Sequence, residues 1–462
     1  MTRLTEQQLN ALMALCPGCV LAGDDIPSDY EHDEMPIYGT DRPDAVVLAA
    51  NKEMVSQVMA WAYGEGIPVI PRGAGTGLCG ACVPAGGGIV LALAGMNRIL
   101  EIDKENLTVT CQCGVLLMEL AQAVEAEGLF YPPDPGEKTA TIGGNIMTNA
   151  GGMRAVKYGV TRDYVRELKV VLPDGRMVTL GGKTAKNSSG YSLMQLMIGS
   201  EGTLGVVVEA TLRLIPLPRF FRSLLVPFPD NRLCMEAMTK LLAQRIMPTA
   251  VEFMQGEVIE LSQEYLGRPF PDHSAQVYLL LRFDGRTLDE VEGLMEEAAR
   301  LMLEAGAIDA LIADTDERQG GLWTARGAFL EAIKGSTSQM DECDVVVPRD
   351  RMPDYFDFCA QLSRQSGMRI ISFGHAGDGN LHSYALRDGL DEAAWMRTLE
   401  MVMDALYEKA REMGGQVSGE HGIGRAKRTY LAQSVGEDVM MLMRGIKGVF
   451  DPKGLLNPGK VL

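Results

Sequence analysis

The sequence predicts an α+β chain of more than one domain. Three observations lead there. Strand-like apolar runs alternate with helical stretches up to Pro216-Leu-Pro218, that rigid run breaks the pattern, and a second set of strands and helices follows from Phe220. The length of 462 residues fits two or three domains at roughly 150 residues each, all long enough to bury a core.

In chain order, residues 4–15 have the spacing of a short amphipathic helix within an N-terminal helical segment, 1–40. The next domain, 41–218, holds the strand-like runs Ala45-Val-Val-Leu-Ala, Pro68-Val-Ile-Pro, Gly88-Ile-Val-Leu-Ala-Leu and Leu107-Thr-Val-Thr-Cys, between helical stretches Asn51–Glu65 and Leu116–Glu127. A third region, 219–413, begins with strand-like Ala275-Gln-Val-Tyr-Leu-Leu-Leu-Arg-Phe before helical Leu288–Ala305. Met368-Arg-Ile-Ile-Ser-Phe and a helix over Glu392–Met413 complete it, and the alternation reads as a second α/β domain. Residues 414–462 form a C-terminal segment ending in Leu455-Leu-Asn-Pro-Gly-Lys.

Composition removes several classes. With 61 acidic against 43 basic side chains the net charge is −18, so the basic surface that nucleic-acid binding needs is missing. No apolar run reaches the roughly 18–20 residues of a membrane span. Met1-Thr-Arg-Leu-Thr-Glu has no signal-peptide apolar region, and a cytoplasmic location is expected. In that compartment the nine cysteines read as reduced thiols. Cys16–Cys19 and Cys79–Cys82 have the spacing of a metal knuckle, but small buried thiols are the better reading.

Three glycine-rich clusters carry the chemistry of the first half. Pro71-Arg-Gly-Ala-Gly-Thr-Gly follows a strand-like run, and Cys79-Gly-Ala-Cys-Val-Pro-Ala-Gly-Gly-Gly continues it as loop instead of opening the helix of a usual dinucleotide fold. Its backbone N–H groups can still form a nest for a pyrophosphate. Tyr131-Pro-Pro-Asp-Pro-Gly-Glu-Lys-Thr-Ala-Thr-Ile-Gly-Gly-Asn-Ile-Met-Thr-Asn-Ala-Gly-Gly sets a rigid turn before small donors with little bulk. Lys186-Asn-Ser-Ser-Gly-Tyr and Ile198-Gly-Ser-Glu-Gly-Thr-Leu-Gly-Val add a third such stretch. One cluster alone is an ordinary turn; three together suit a large polar cofactor in an extended pose.

The second half concentrates histidine. Three of the five lie between 375 and 421, in Gly374-His-Ala-Gly-Asp-Gly-Asn-Leu-His and Ser418-Gly-Glu-His-Gly-Ile-Gly. His375, His382 and Glu420 make a three-ligand set that leaves positions open for substrate, suited to Fe²⁺, Zn²⁺ or Mn²⁺. The alternative, hydrogen-bonded loop histidines, holds for any one of them but poorly for three in glycine-rich settings. His421, beside a ligand, is the candidate base.

Pro71-Arg-Gly-Ala-Gly-Thr-Gly, Pro132-Pro-Asp-Pro, Thr141-Ile-Gly-Gly-Asn with Asn149-Ala-Gly-Gly, and Gly199-Ser-Glu-Gly-Thr-Leu-Gly resemble the FAD-binding half of the vanillyl-alcohol-oxidase/p-cresol-methylhydroxylase superfamily. Within it the chain is most similar to the D-lactate dehydrogenase and glycolate oxidase D-subunit group. The resemblance implies a two-subdomain PCMH-type FAD-binding domain plus an α/β cap (substrate) domain with an antiparallel sheet. It implies FAD held by Arg72, Gly73, Ala74, Gly75, Thr76, Gly77, Pro133, Asp134, Thr141, Gly143, Gly144, Asn145, Asn149, Gly151, Gly152, Glu201, Gly202, Gly205, Val206 and Asn457. Thr76-Gly77 stand where some relatives attach the flavin through histidine, so the FAD is expected to be non-covalent. The metal-dependent members imply the same ligands, His375, His382 and Glu420, with His421 as base.

The same resemblance implies that Arg326, in Trp323-Thr-Ala-Arg, recognises the substrate carboxylate, with Lys334 as the weaker candidate. Glu342 replaces a basic residue of the similar 2-hydroxyglutarate dehydrogenases and argues for a small monocarboxylate. The expected activity is oxidation of a 2-hydroxy acid, D-lactate to pyruvate, by hydride transfer to FAD. Ala150-Gly-Gly-Met-Arg-Ala-Val-Lys-Tyr-Gly-Val-Thr-Arg-Asp-Tyr and Met340-Asp-Glu-Cys-Asp-Val-Val-Val-Pro resemble lactate dehydrogenase subunits that associate with electron-transferring flavoprotein, a group linked to electron bifurcation and confurcation. A glycolate oxidase-type subunit passing electrons to quinone or O₂ is the alternative. A metal-free flavin hydroxylase or aldonolactone oxidase, and a non-catalytic flavin-binding subunit, are disfavoured by the histidine motifs.

Overall fold

The computed structural model describes residues 3–462 except Arg245. It divides into two compact units. The first comprises residues 1–151, 160–217 and 420–462, and the second residues 152–159 and 218–419. The units therefore exchange segments that a linear reading assigns by position: Gly152–Gly159 joins the second, and the chain from Glu420 onward joins the first.

The first unit contains two main sheets. Val20–Ala22, Ala45–Leu48, Ile89–Ala92 and Val69–Arg72 form one in that order, parallel except for its first pair. Helix Lys52–Glu65 makes the parallel crossover. Asn51 caps its start by accepting from Met54 N (2.8 Å), Gly66 ends it at φ +72°, and Val55, Val58, Met59 and Ala62 are buried. The other sheet is antiparallel, with strands Ile99–Asp103, Thr108–Gln112, Val206–Arg213, Val165–Val171 and Met177–Gly181 in order. The N-terminal helix Glu6–Leu15 starts in a Thr5/Gln8 capping box. Val20–Ala22 then pairs directly with Ala45–Leu48, so the N-terminal segment is part of this unit's sheet. The far terminus returns too: Asn457 N donates to Val69 O at 2.8 Å.

The second unit is built on one seven-stranded antiparallel sheet, in the order Leu311–Ala313, Phe220–Phe228, Val277–Gly285, Ala250–Gln255, Arg369–His375, Asn380–Leu386 and Met340–Val346. Phe253 stacks on Phe356 of helix Met352–Ser366 (centroids 4.2 Å apart), while its neighbour Glu252 points to the other face. On that other face Phe329 of helix Phe329–Ser336 meets Phe373 at 5.4 Å. His375 and His382, expected to flank a glycine-rich turn, do so: one ends a strand and the other lies within the next, across a hairpin of residues 376–379. Gly379 adopts φ +80°, and a Cβ there would overlap Val347 O.

Candidate active site

The first unit contains a cavity walled by its glycine clusters. It is lined by the loop Pro71–Leu78, by residues of Ala140–Gly151, by Glu201, Gly202, Gly205–Val207 and Asn457, and by Glu420 and His421. Among the described residues no backbone N–H from Gly73 through Leu78 donates a hydrogen bond within the chain. Buried or half-buried backbone donors are almost always satisfied, so such a run against a cavity is the lining of an anion site. Bulk is excluded on the same side. A Cβ on Gly75, which has φ +86°, would overlap the Arg72 guanidinium, and one on Gly73 would overlap Thr141 Oγ1. Arg72 is itself tethered, donating from Nη1 to His32 O at 2.6 Å.

Two further residues shape the wall. Asn457 donates from Nδ2 to Ala81 O (3.0 Å) and Glu201 O (2.8 Å), leaving its buried Oδ1 without a protein partner beside the cavity. Glu201 accepts from Ile423 N and Gly424 N, each at 2.7 Å. Burial pushes its carboxyl above the usual value, against the pull of those N–H groups, Lys427 and Lys460. Glu201 thus grips the loop that follows His421. In that loop Glu420 Oε1 lies 3.6 Å from His421 Nε2, and His421 is partly exposed. An orphaned donor run, a polar acceptor and walls that reject a Cβ fit an extended dinucleotide such as FAD.

The second unit holds a different kind of site. Pairing Glu252 with His375, Phe373 with His382, Asp344 with His382 and Glu342 with Tyr384 puts all of these on one face of the sheet. The two imidazoles are buried, with centroids 5.4 Å apart and planes nearly perpendicular. His375 Nδ1 lies 2.8 Å from Glu252 Oε1, and His382 Nδ1 lies 2.9 Å from Glu342 Oε1. Tyr384 OH donates to the same Glu342 oxygen at 3.0 Å. Burial, then Glu342, raises the Tyr384 pKa, which keeps it a donor. Burial also opposes the charge of Glu252, yet His375 and Arg326 hold its carboxyl below the usual value.

Asp344 is fully buried and accepts from Asn380 Nδ2 (2.8 Å) and Ser418 Oγ (2.9 Å). Three carboxyls thus face two imidazoles and the single guanidinium of Arg326. An imidazole whose Nδ1 is held by a carboxylate offers Nε2 as a ligand, and surplus buried acid favours a cation. This donor set fits a divalent metal.

Several residues read from the sequence lie elsewhere or do other work. Arg326, expected to receive the substrate carboxylate, reaches from helix Asp316–Gly327 over the Phe373 ring and turns Nε (2.8 Å) and Nη2 (2.6 Å) onto the buried Glu252. Lys334 bonds Glu331 at 2.9 Å. Glu342, read as a specificity residue, engages His382. Pro133, Asp134, Asn149 and Gly152 are off the cavity wall: Asp134 is engaged by Lys138, and Asn149 Oδ1 accepts from Arg162 N at 3.0 Å. The other glycine-cluster residues, Arg72, Gly73, Ala74, Gly75, Thr76, Gly77, Thr141, Gly143, Gly144, Asn145, Gly151, Glu201, Gly202, Gly205, Val206 and Asn457, all line it. The sequence reading missed Met147 and Thr148, which lie inside a run already marked, and Asp33 and Cys113, which no motif announces. Among the described residues neither Cys-x-x-Cys pair belongs to a group of three or more potential metal ligands; Cys79 Sγ faces Gly422 O at 3.3 Å and Cys82 Sγ faces Arg72 at 3.1 Å.

Comparison with known proteins agrees with this chemistry. Residues 43–181 match the FAD binding domain, and residues 217–461 match the C-terminal domain of FAD linked oxidases. A D-lactate dehydrogenase of Anaerostipes hadrus is 47% identical over 99% of this chain and 98% of its own. The glycolate oxidase subunit GlcD of Bacillus subtilis is 39% identical over 94% and 91%. In fold, p-cresol methylhydroxylase with substrate bound superposes with a TM-score of 0.81 at 17% identity, over 99% of this chain and 97% of that one. The fold is of the PCMH type, and the matched domains and relatives make the chain an FAD-linked oxidoreductase. The chain belongs to the FAD-linked oxidase family.

Proposed function

We propose that this oxidoreductase converts a small 2-hydroxy acid, D-lactate, to the 2-oxo acid pyruvate. It does so with non-covalent FAD and with a divalent ion held by His375, His382 and Glu420. The observation that supports this best is the imidazole pair, each ring held at Nδ1 by a buried carboxylate. The name of the 47% identical relative points the same way. When bound, FAD accepts the hydride leaving C2, and the divalent ion acidifies the substrate hydroxyl.

The chain's own residues do the rest. The N–H groups of 73–78 hold the pyrophosphate, and Thr76-Gly77 offer no histidine for covalent attachment. His421 accepts the hydroxyl proton as the carbonyl forms, held in place by the Glu201 grip on Ile423 and Gly424. The surplus of carboxyls around His382 disfavours a second substrate carboxylate, which supports a monocarboxylate over 2-hydroxyglutarate. The electrons pass to an electron-transferring flavoprotein; this rests on the Ala150–Tyr164 and Met340–Pro348 sequences. No helix among the described residues is long and apolar enough to cross a membrane.

The test is anaerobic reduction of the purified holoprotein by D- and L-lactate, glycolate and D-2-hydroxyglutarate. D-lactate should bleach the flavin fastest, acid precipitation should release FAD to the supernatant, and an electron-transferring flavoprotein should restore turnover. Bleaching by none of the hydroxy acids would refute the substrate class. Rapid O₂ consumption with stoichiometric peroxide would refute the partner.

A further inference from the structure

We infer that Arg326 and Glu252 form a positioning relay for the metal ligand His375, matched by Tyr384 and Glu342 on His382. Arg326 therefore acts on metal affinity through Glu252. The inference rests on the metal reading above and goes beyond it, because it assigns four residues outside the proposed ligand set.

The geometry is specific. Arg326 spends Nε and Nη2 on one oxygen of Glu252, Oε2, while the other oxygen, Oε1, faces His375 Nδ1 at 2.8 Å. One carboxylate is thereby fixed at both ends and cannot rotate away from the imidazole. The guanidinium carbon is packed 4.6 Å from the centroid of Phe373 and 5.5 Å from that of Phe329, which locks the arginine in turn. On the other ring a neutral donor replaces the cation, since Tyr384 OH and His382 Nδ1 converge on the same oxygen of Glu342. Each carboxylate demands an N–H on Nδ1. The proton is thereby kept off Nε2, the nitrogen left to bind a metal.

The arrangement also separates the two carboxylates. Glu252 is charge-compensated by Arg326, whereas Glu342 shares its surroundings with Asp344, whose Oδ1 is 3.9 Å from His382 Nδ1. Removing the Glu342 charge leaves Asp344 to take up part of the role, and removing the Glu252 charge leaves Arg326 buried without its partner. Glu252→Gln is therefore the more damaging of the two conservative changes.

The experiment is Zn²⁺ titration against a chelator with metal-stripped, FAD-loaded protein. FAD content and near-ultraviolet circular dichroism serve as checks of folding. Wild type should bind one Zn²⁺; Glu252→Gln and Glu342→Gln should bind it on the order of 10–10² times more weakly, with FAD retained. Arg326→Lys, which keeps the charge but loses the two-point grip, should also weaken Zn²⁺ binding. Nitrogen-15 NMR of the histidines should show Nδ1–H tautomers in the metal-free wild type and a mixture in Glu342→Gln. Zn²⁺ affinity unchanged in Glu252→Gln and Arg326→Lys would overturn the relay. A wild type that takes up no divalent metal would instead overturn the reading on which it stands.

Discussion

The glycine cavity and the histidine face are built by opposite means. In the first unit the binding groups are backbone N–H donors, and the side chains that matter are missing ones: at Gly73 and Gly75 a single added carbon would overlap Thr141 or Arg72. In the second unit the binding groups are side chains, each held by another side chain, and the backbone serves only to set the register. A backbone site tolerates changes around it as long as the loop keeps its path. A side-chain site depends on every member, because a buried carboxylate that loses its partner keeps its desolvation cost. The cavity should fail by exclusion, and the histidine face by loss of orientation.

The largest expected effect lies at the loop both readings need. His421→Ala should slow flavin reduction by about 10²–10⁴ while metal content stays near wild type, because in the proposed function it is the base and not a ligand. Glu420→Ala should lose both. Stopped-flow bleaching with metal analysis checks this, and a His421→Ala protein that loses its metal yet reduces flavin normally once reloaded would exchange the two roles.

Gly75→Val should weaken FAD binding by on the order of 10² or more, since a β-branched residue is strained at φ +86° and its Cβ overlaps Arg72. Zn²⁺ binding should be unaffected. Loss of both ligands together would break the separation drawn here.

The smallest effect concerns stability and pH. Burial is the main cause that pushes the Asp33 carboxyl up to about 6 from 3.8, against the N–H groups of Met35 and Gly80 and the Arg72 charge. The native state then binds this proton more tightly than the unfolded chain, so its contribution is full below about pH 4 and is lost as pH rises to about 6, by at most about 3 kcal/mol. Asp33→Asn should therefore gain on wild type in urea midpoint between about pH 4 and 7. A constant difference across that range would show that Asp33 does not titrate there.

The sequence by itself determined the cofactor cavity to a large degree. Glycine has a physical signature that needs no partner: a run such as Gly73-Ala-Gly-Thr-Gly declares that bulk is unwelcome, and a local loop can supply all its donors. Helix limits were also local, as Asn51 and Gly66 show for Lys52–Glu65. His375 and His382 were visible as residues, though not as strand residues, because the pair of glycines between them reads as loop until the two flanks hydrogen-bond. Only the tertiary structure decided the roles of Glu252, Glu342 and Arg326. Glu252 is 123 positions from His375, and Arg326 is 74 from Glu252. Their meeting depends on the order and register of a seven-stranded sheet, in which a slip of one residue would send Glu252 or Glu342 to the opposite face, and on helix Asp316–Gly327, which carries Arg326.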